Sequence, residues 1–279
     1  MKKLSTFLLA FLFILGVTAC GGGGNDENNA DSTLTDLPNE MSEVQQEVEA
    51  ALYPIPTSFE LTQMLNQAGA SFILDLANNP ANVDKYMTEK QQAINLGVFG
   101  ADLSYSSTYQ QTQQTINFLE ASEKLMSSLS ISSTFNKTLV DRVNTNIDNR
   151  DSLVAILTES FHDTYAFLNE NGKENLSILI IAGSWVEGNY IATQLASTAP
   201  NKTELVKVIA KQKASFDKLI GILEANKVDE SINQVYTALT PLKDLFAKVD
   251  ADANKANLTA DQFKTLTTTL EKIRKEMVK

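Results

Sequence analysis

Residues 95–105, Asn-Leu-Gly-Val-Phe-Gly-Ala-Asp-Leu-Ser-Tyr, and residues 180–190, Ile-Ile-Ala-Gly-Ser-Trp-Val-Glu-Gly-Asn-Tyr, decide how this chain folds. Both stretches contain glycine, and both are mostly apolar apart from one acid placed three residues before a tyrosine. A helix that is apolar on all sides is buried in the interior of a protein. We therefore expect both stretches to be central helices of the core, where glycine permits close helix contact.

The two stretches align at an offset of 85 residues, which places Asp102 over Glu187 and Tyr105 over Tyr190. Each stretch also follows a strongly amphipathic segment. A duplicated helix pair is one explanation of this likeness.

Most of the remaining chain has a hydrophobic period typical of helices. The first such stripe, formed by Leu61, Leu65, Ala68, Phe72 and Leu76, predicts one helix over residues 57–78, with Thr57 and Glu60 as its capping box. Similar stripes run through residues 153–168, 205–223, 228–249 and 263–277. No stretch alternates for long enough to predict a strand. The predicted fold class is all-α, a bundle of about seven to nine antiparallel helices.

Two local signals refine this prediction near the carboxyl end. Pro241 should kink its helix or restart it with Thr240 as the cap. Thr259 and Gln262 are spaced as a capping box at the start of the last helix.

The first 19 residues have the composition of an export signal. Lys2 and Lys3 give a positive start, and residues 4–17 form an apolar stretch that is short for a membrane span. The stretch ends on Val17-Thr18-Ala19-Cys20, which resembles the lipobox of bacterial lipoproteins. The resemblance implies that residues 1–19 are a signal peptide and that Cys20 becomes the lipidated first residue, carrying acyl chains such as palmitate.

Residues 20–56 are predicted to be a flexible acidic tether between the lipid and a helical domain at residues 57–279. The run from Gly21 to Gly24, followed by Asp26 and Glu27, is similar to the tethers of Bacteroidota lipoproteins. The resemblance implies an anchor at the cell envelope, and Gly21 favours the outer membrane, on its periplasmic or its surface-exposed face.

The net charge and the cysteine content exclude several classes of binding partner and of metal or disulfide site. The formal net charge is −11, and removal of the two lysines of the signal makes it about −13. Such a charge repels nucleic acid and anionic head groups, so membrane contact is left to the lipid. The single cysteine excludes an intramolecular disulfide and a metal site built from several cysteines.

A ligand pocket between the two central helices is the sharpest functional hypothesis, because bundle cores are where such sites are built. The alternative is a purely structural role, in which each tyrosine hydroxyl finds the neighbouring acid as its partner. The predicted ligand-binding residues are Asp102, Tyr105, Tyr109, Trp185, Glu187 and Tyr190.

The sequence predicts no catalytic residue, no metal ligand and no cofactor. His162 is the only histidine, and its Glu159-x-x-His162 spacing would need a second such pair to form a di-iron site. No nucleophile elbow, P-loop or dinucleotide fingerprint is present.

The leading interpretation is a non-enzymatic, lipid-anchored envelope protein whose helical bundle binds a small ligand or an envelope partner. One alternative is a structural or scaffold subunit of an envelope complex. Another is an enzyme that uses Asp102 and Glu187 as an acid/base pair.

Overall fold

The computed structural model describes residues 58–131, 137–147 and 149–279, and the chain within these ranges is helical without any strand. The signal peptide, Cys20 and the predicted tether lie outside the described residues. The helices of the described chain are α1 (Ser58–Gln67), α2 (Glu89–Thr108), α3 (Thr112–Ser128), α4 (Lys137–Thr145), α5 (Arg150–Glu170), α6 (Glu174–Thr198), α7 (Lys202–Ala210), α8 (Lys213–Ala225), α9 (Glu230–Leu239), α10 (Lys243–Phe246) and α11 (Ala260–Met277). The predicted all-α, multi-helix class is confirmed.

Helices α2 and α6 form the centre of the bundle, as the two apolar stretches predict. Every residue of α2 from Ala93 to Thr108 is buried, and most of α6 is buried as well. Helices α1 and α5 contact both members of this pair. Helix α3 packs against α2, and α7 and α11 pack against α6. Because solvent is excluded from all sides of α2 and α6, neither helix has an amphipathic stripe.

The two central helices run in the same direction. Gly97 of α2 lies against Ile180 of α6, and further along both helices Asp102 lies close enough to Glu187 for the charge of one acid to shift the pKa of the other. The parallel pair is compatible with the predicted bundle, because α3, α4 and α5 intervene in the chain and only helices joined by a short loop must reverse direction.

Glycine brings the backbones of α2 and α6 into direct contact. A Cβ atom on Gly97 would lie 1.9 Å from the carbonyl oxygen of Ile180, and a Cβ atom on Gly183 would lie 2.1 Å from the carbonyl oxygen of Ile94. No other residue type fits at either position, because both neighbours are backbone atoms. The two contacts are reciprocal: Gly97 and Gly183 are 86 residues apart, as are Ile94 and Ile180. This offset is close to the 85 residues of the sequence alignment.

The observed helix α1 is shorter than the helix that we predicted over residues 57–78. Helix α1 ends at Gln67, where Gly69 adopts a positive φ of 82° and the Ala70 N–H donates to the Leu65 carbonyl at 3.0 Å. This is the helix ending that glycine favours. The chain continues through short 3₁₀ turns at Leu74–Leu76 and Pro80–Lys85. The described residues before α2 thus contain no helix that matches the 21 residues of α5 in length.

Other local predictions can be compared with the structure directly. The stripe over residues 205–223 is divided between α7 and α8, and α9 stops at Leu239 before a 3₁₀ turn that contains Pro241. The capping box of Thr259 and Gln262 is present at the start of α11. These breaks explain why ten helices of nine residues or more occur in the described chain, against the seven to nine predicted.

None of the helices in the described ranges combines the length and the apolar composition needed to cross a membrane.

Candidate functional site

A buried ionic cluster of Asp102, Glu187 and Arg274 lies where α2, α6 and α11 meet. Both carboxyl groups are completely buried. Arg274 grips Glu187 with two bonds, from Nε to Oε2 and from Nη2 to Oε1, each 2.9 Å long. Such a bidentate pair is the strongest ion-pair geometry available to these side chains. The pair therefore ties the last helix of the chain to its centre.

The segment after α1 closes the cluster from one side with its backbone. The Asn78 N–H donates to Asp102 Oδ2 at 3.1 Å, and Arg274 Nη2 donates to the Leu76 carbonyl at 3.3 Å. Tyr190 covers the guanidinium from another side, since its ring centroid lies 4.7 Å from the Arg274 Cζ atom. Four separate parts of the chain thus meet at one charged centre.

The cluster holds two carboxyl groups and one guanidinium, so its net charge depends on whether one acid keeps a proton. Burial raises the pKa of the Asp102 carboxyl well above its usual range, and the negative charge of Glu187 raises it further. Burial also raises the pKa of Glu187, but the charge and hydrogen bonds of Arg274 oppose that shift. Two carboxylates side by side in the interior repel each other, and a single guanidinium balances only one negative charge, so a proton on one of the acids lowers the cost of burying both. We assign the proton to Asp102 and the ionised state to Glu187.

Tyr105 and Tyr109 belong to a different contact group, which holds the segment between α1 and the 3₁₀ turns. The Tyr105 hydroxyl accepts a 2.7 Å hydrogen bond from the Ile73 N–H, and the Tyr109 hydroxyl donates to the Ala70 carbonyl at 2.9 Å. The Phe72 ring stacks on Tyr105 at 4.7 Å. The expectation that the tyrosine hydroxyl pairs with the neighbouring acid is wrong for Tyr105, because free backbone groups of the nearby irregular segment reach it instead.

Trp185 lies in a third group, an aromatic layer toward α8 and α10. Its ring centroid is 5.3 Å from that of Phe216 and 6.2 Å from that of Phe246. Of the six predicted ligand-binding residues, the structure therefore brings Asp102, Glu187 and Tyr190 together at the ionic cluster and places the other three elsewhere. Their role in ligand binding stays a prediction.

Sequence reasoning missed Arg274 and Asn78, which complete the cluster. Arg274 follows Ile273 and lies one turn after Leu270, so it borders the buried stripe of α11. It is also one of only three arginines in a chain rich in lysine, and a buried carboxylate pair needs a cation with several donors. A rare arginine at the border of a buried stripe could therefore have been identified from the sequence as a partner for buried acids. Asn78 contributes a backbone N–H, for which the sequence carries no signal.

A long groove opens beside this cluster, between α9, α11 and the start of α2. Its volume is about 950 Å³, within the range of small-molecule sites. Buried Ile94, Val235 and Ile273 form its apolar floor, and threonine and glutamine side chains line much of its edge. Because Ile273 precedes Arg274, one face of α11 lines the groove while the next face carries the ionic cluster.

Within the described ranges, no group of three or more histidine, cysteine, aspartate or glutamate side chains is placed to hold a metal ion. Glu159, the acid of the Glu-x-x-His pattern, forms a salt bridge with Arg142 at 2.6 Å.

The chain matches no known family model, and neither curated proteins nor solved structures show significant similarity to it.

Proposed function

We propose that this chain is a cell-envelope lipoprotein, anchored by lipid on Cys20, whose helical bundle binds a small ligand without transforming it. The groove between α2, α9 and α11 carries the binding part of the proposal. The lipobox-like sequence Val17-Thr18-Ala19-Cys20 supports the anchor.

The groove favours a ligand because it combines volume, an apolar floor and a polar edge in one concave surface. The floor residues Ile94 and Ile273 are held by elements that the ionic cluster locks together, so the groove is preformed. A preformed site loses little conformational entropy when a ligand binds. Arg274 and Glu187 therefore act as positioning residues for one wall of the groove.

The same cluster argues against the enzyme alternative. A general acid or base must reach its substrate within hydrogen-bonding distance. Glu187 is fully buried and already accepts two bonds from Arg274, while Asp102 is fully buried and accepts a bond from the Asn78 N–H. A substrate would have to displace these partners first. The cluster therefore fits a structural tie better than an acid/base pair.

Metabolic labelling with palmitate tests the anchor. The wild-type protein should take up label, and the Cys20→Ser variant should take up none, because Cys20 is the only cysteine in the chain. Gly24→Ser is the matched control, since it alters the predicted tether and leaves the lipobox intact, and it should label like the wild type. Label that persists in Cys20→Ser, or its absence from the wild type, would refute the lipoprotein assignment.

A further inference from the structure

The groove between α2, α9 and α11 carries an excess of positive charge on a strongly acidic protein. Lys90, Lys272 and Glu276 are its charged lining residues. Glu276 forms an exposed salt bridge of 3.4 Å with Lys279, and the two lysines and one glutamate of the lining leave it a net charge of +1. The groove therefore presents two ammonium groups against a whole-chain charge of −11.

Neither of these ammonium groups has a carboxylate partner among the described residues. Lys90 donates to the neutral side-chain amide of Gln234 across the groove, and Lys272 is exposed on α11. Some lysines of the described surface pair with acids, as Lys124 and Lys213 do, and others do not. What distinguishes Lys90 and Lys272 is that both line the same groove with an apolar floor.

The start of α2 adds a third positive contribution. Thr88 caps the helix and lines the groove with Lys90 and Gln91. The N-terminus of a 20-residue helix carries a partial positive charge, although the Gln91 N–H already donates to Thr88 Oγ1. Glu89 in the same turn opposes this charge from an exposed position outside the lining. The polar end of the groove therefore suits an anion, while the floor suits an apolar body.

We propose that the groove binds a free, single-chain anionic amphiphile, whose carboxylate lies between Lys90 and Lys272 and whose hydrocarbon chain covers Val235 and Ile273. This inference rests on the proposed ligand-binding function and names the ligand class for that site. Ala238 lines the groove and is exposed, so a larger side chain at this position would occupy the space of the ligand. A carboxylate that contacts two ammonium groups at once gains more than one that contacts a single ammonium group.

Calorimetric titration with dodecanoate as the probe tests the proposal. The mature chain carries Cys20→Ser, so that it lacks the lipid and can be studied without detergent. Dodecyltrimethylammonium has the same chain with the opposite charge, and both are used below their micelle concentrations. We expect dodecanoate to bind and the cation to bind at least tenfold more weakly, because the groove repels it.

Matched variants locate the site. Combining Lys90→Gln with Lys272→Gln should weaken dodecanoate binding about tenfold. The control combines Lys211→Gln with Lys218→Gln, which removes the same charge from exposed positions outside the groove and should leave binding unchanged. Ala238→Trp should abolish binding by filling the groove, and an unchanged circular dichroism spectrum would show that it folds.

Three results would overturn the proposal: equal affinity for both probes, equal losses in the two lysine pairs, or full binding by Ala238→Trp. A fourth is sedimentation with phosphatidylglycerol vesicles without binding of monomeric dodecanoate, which would identify a bilayer surface as the occupant. If the protein keeps a ligand from its own membrane in all these variants, the groove assignment fails while the proposed ligand-binding function stands.

Discussion

The Gly183→Ala variant is expected to lose about 3 kcal/mol or more of unfolding free energy, the upper end of the cost of overpacking a core. Its new Cβ atom would lie 2.1 Å from the Ile94 carbonyl oxygen, so the backbones of α2 and α6 must separate. Helix backbones cannot yield as a flexible side chain can. Urea unfolding followed by circular dichroism measures the loss, and Gly97→Ala should behave alike because its Cβ would meet Ile180 at 1.9 Å.

Gly221→Ala is the matched control for this prediction. Gly221 lies inside α8 with exposed surroundings, and a Cβ there would meet no atom within 4 Å. Alanine at an open helix position stabilises by about 0.5–1 kcal/mol relative to glycine. Equal effects of Gly183→Ala and Gly221→Ala would contradict the direct backbone contact between the two central helices.

Arg274→Met is expected to cost about 3–5 kcal/mol at neutral pH, because it leaves Glu187 charged and unpaired in the interior. The side chains are similar in length, so lost packing contributes little. The cost should shrink as the pH falls and Glu187 takes up a proton, which removes the unpaired charge. Chemical unfolding at several pH values measures both effects. A cost that does not depend on pH would contradict the ion pair.

Asp102→Asn is the control that separates charge from shape in this cluster. Asparagine is neutral, as protonated Asp102 is, and its side-chain oxygen can accept from the Asn78 N–H. The folded-state pKa of Asp102 lies above its ordinary value of 3.8, so between these two pH values the folded state holds a proton that the unfolded state has lost. Wild-type stability therefore falls as the pH rises from 3.8 to the folded-state pKa. The variant should match the wild type near pH 4 and become the more stable of the two above it. Parallel pH profiles would contradict the assigned proton.

The sequence predicted the centre of this fold because burial leaves a simple pattern. Two apolar stretches with glycine and one acid each became α2 and α6, and Asp102 and Glu187 meet as their alignment suggested. The direction of the pair was not predictable in the same way. It depends on how α3 to α5 are routed, and hydrophobic period carries no information about routing.

The surroundings of the acids were harder to predict because their partners are distant in sequence. Arg274 is 87 residues from Glu187, and although it borders the buried stripe of α11, nothing in the sequence says which carboxylate it meets. The end of α1 depended on one positive φ at Gly69, which overrode an apolar stripe that continued to Leu76. Local backbone geometry and long-range charge pairing were therefore the two properties that the pattern did not contain.

The position of the groove beside the ionic cluster links the fold to the proposed role. Helix α11 reaches the core through Arg274 and lines the groove through Ile273. A protein held to a membrane by lipid on Cys20 would present such a groove to ligands in the adjacent compartment. Binding without chemistry then requires only a rigid wall, which the pairing of Arg274 with Glu187 supplies.

Native mass spectrometry of the mature protein, extracted gently from its own membrane, tests the proposed ligand-binding lipoprotein most directly. The account predicts a chain that begins at Cys20, carries covalent acyl lipid and retains one additional small mass that Ala238→Trp loses. A lipidated chain with no additional mass, or with only a second protein bound, would contradict the ligand-binding role.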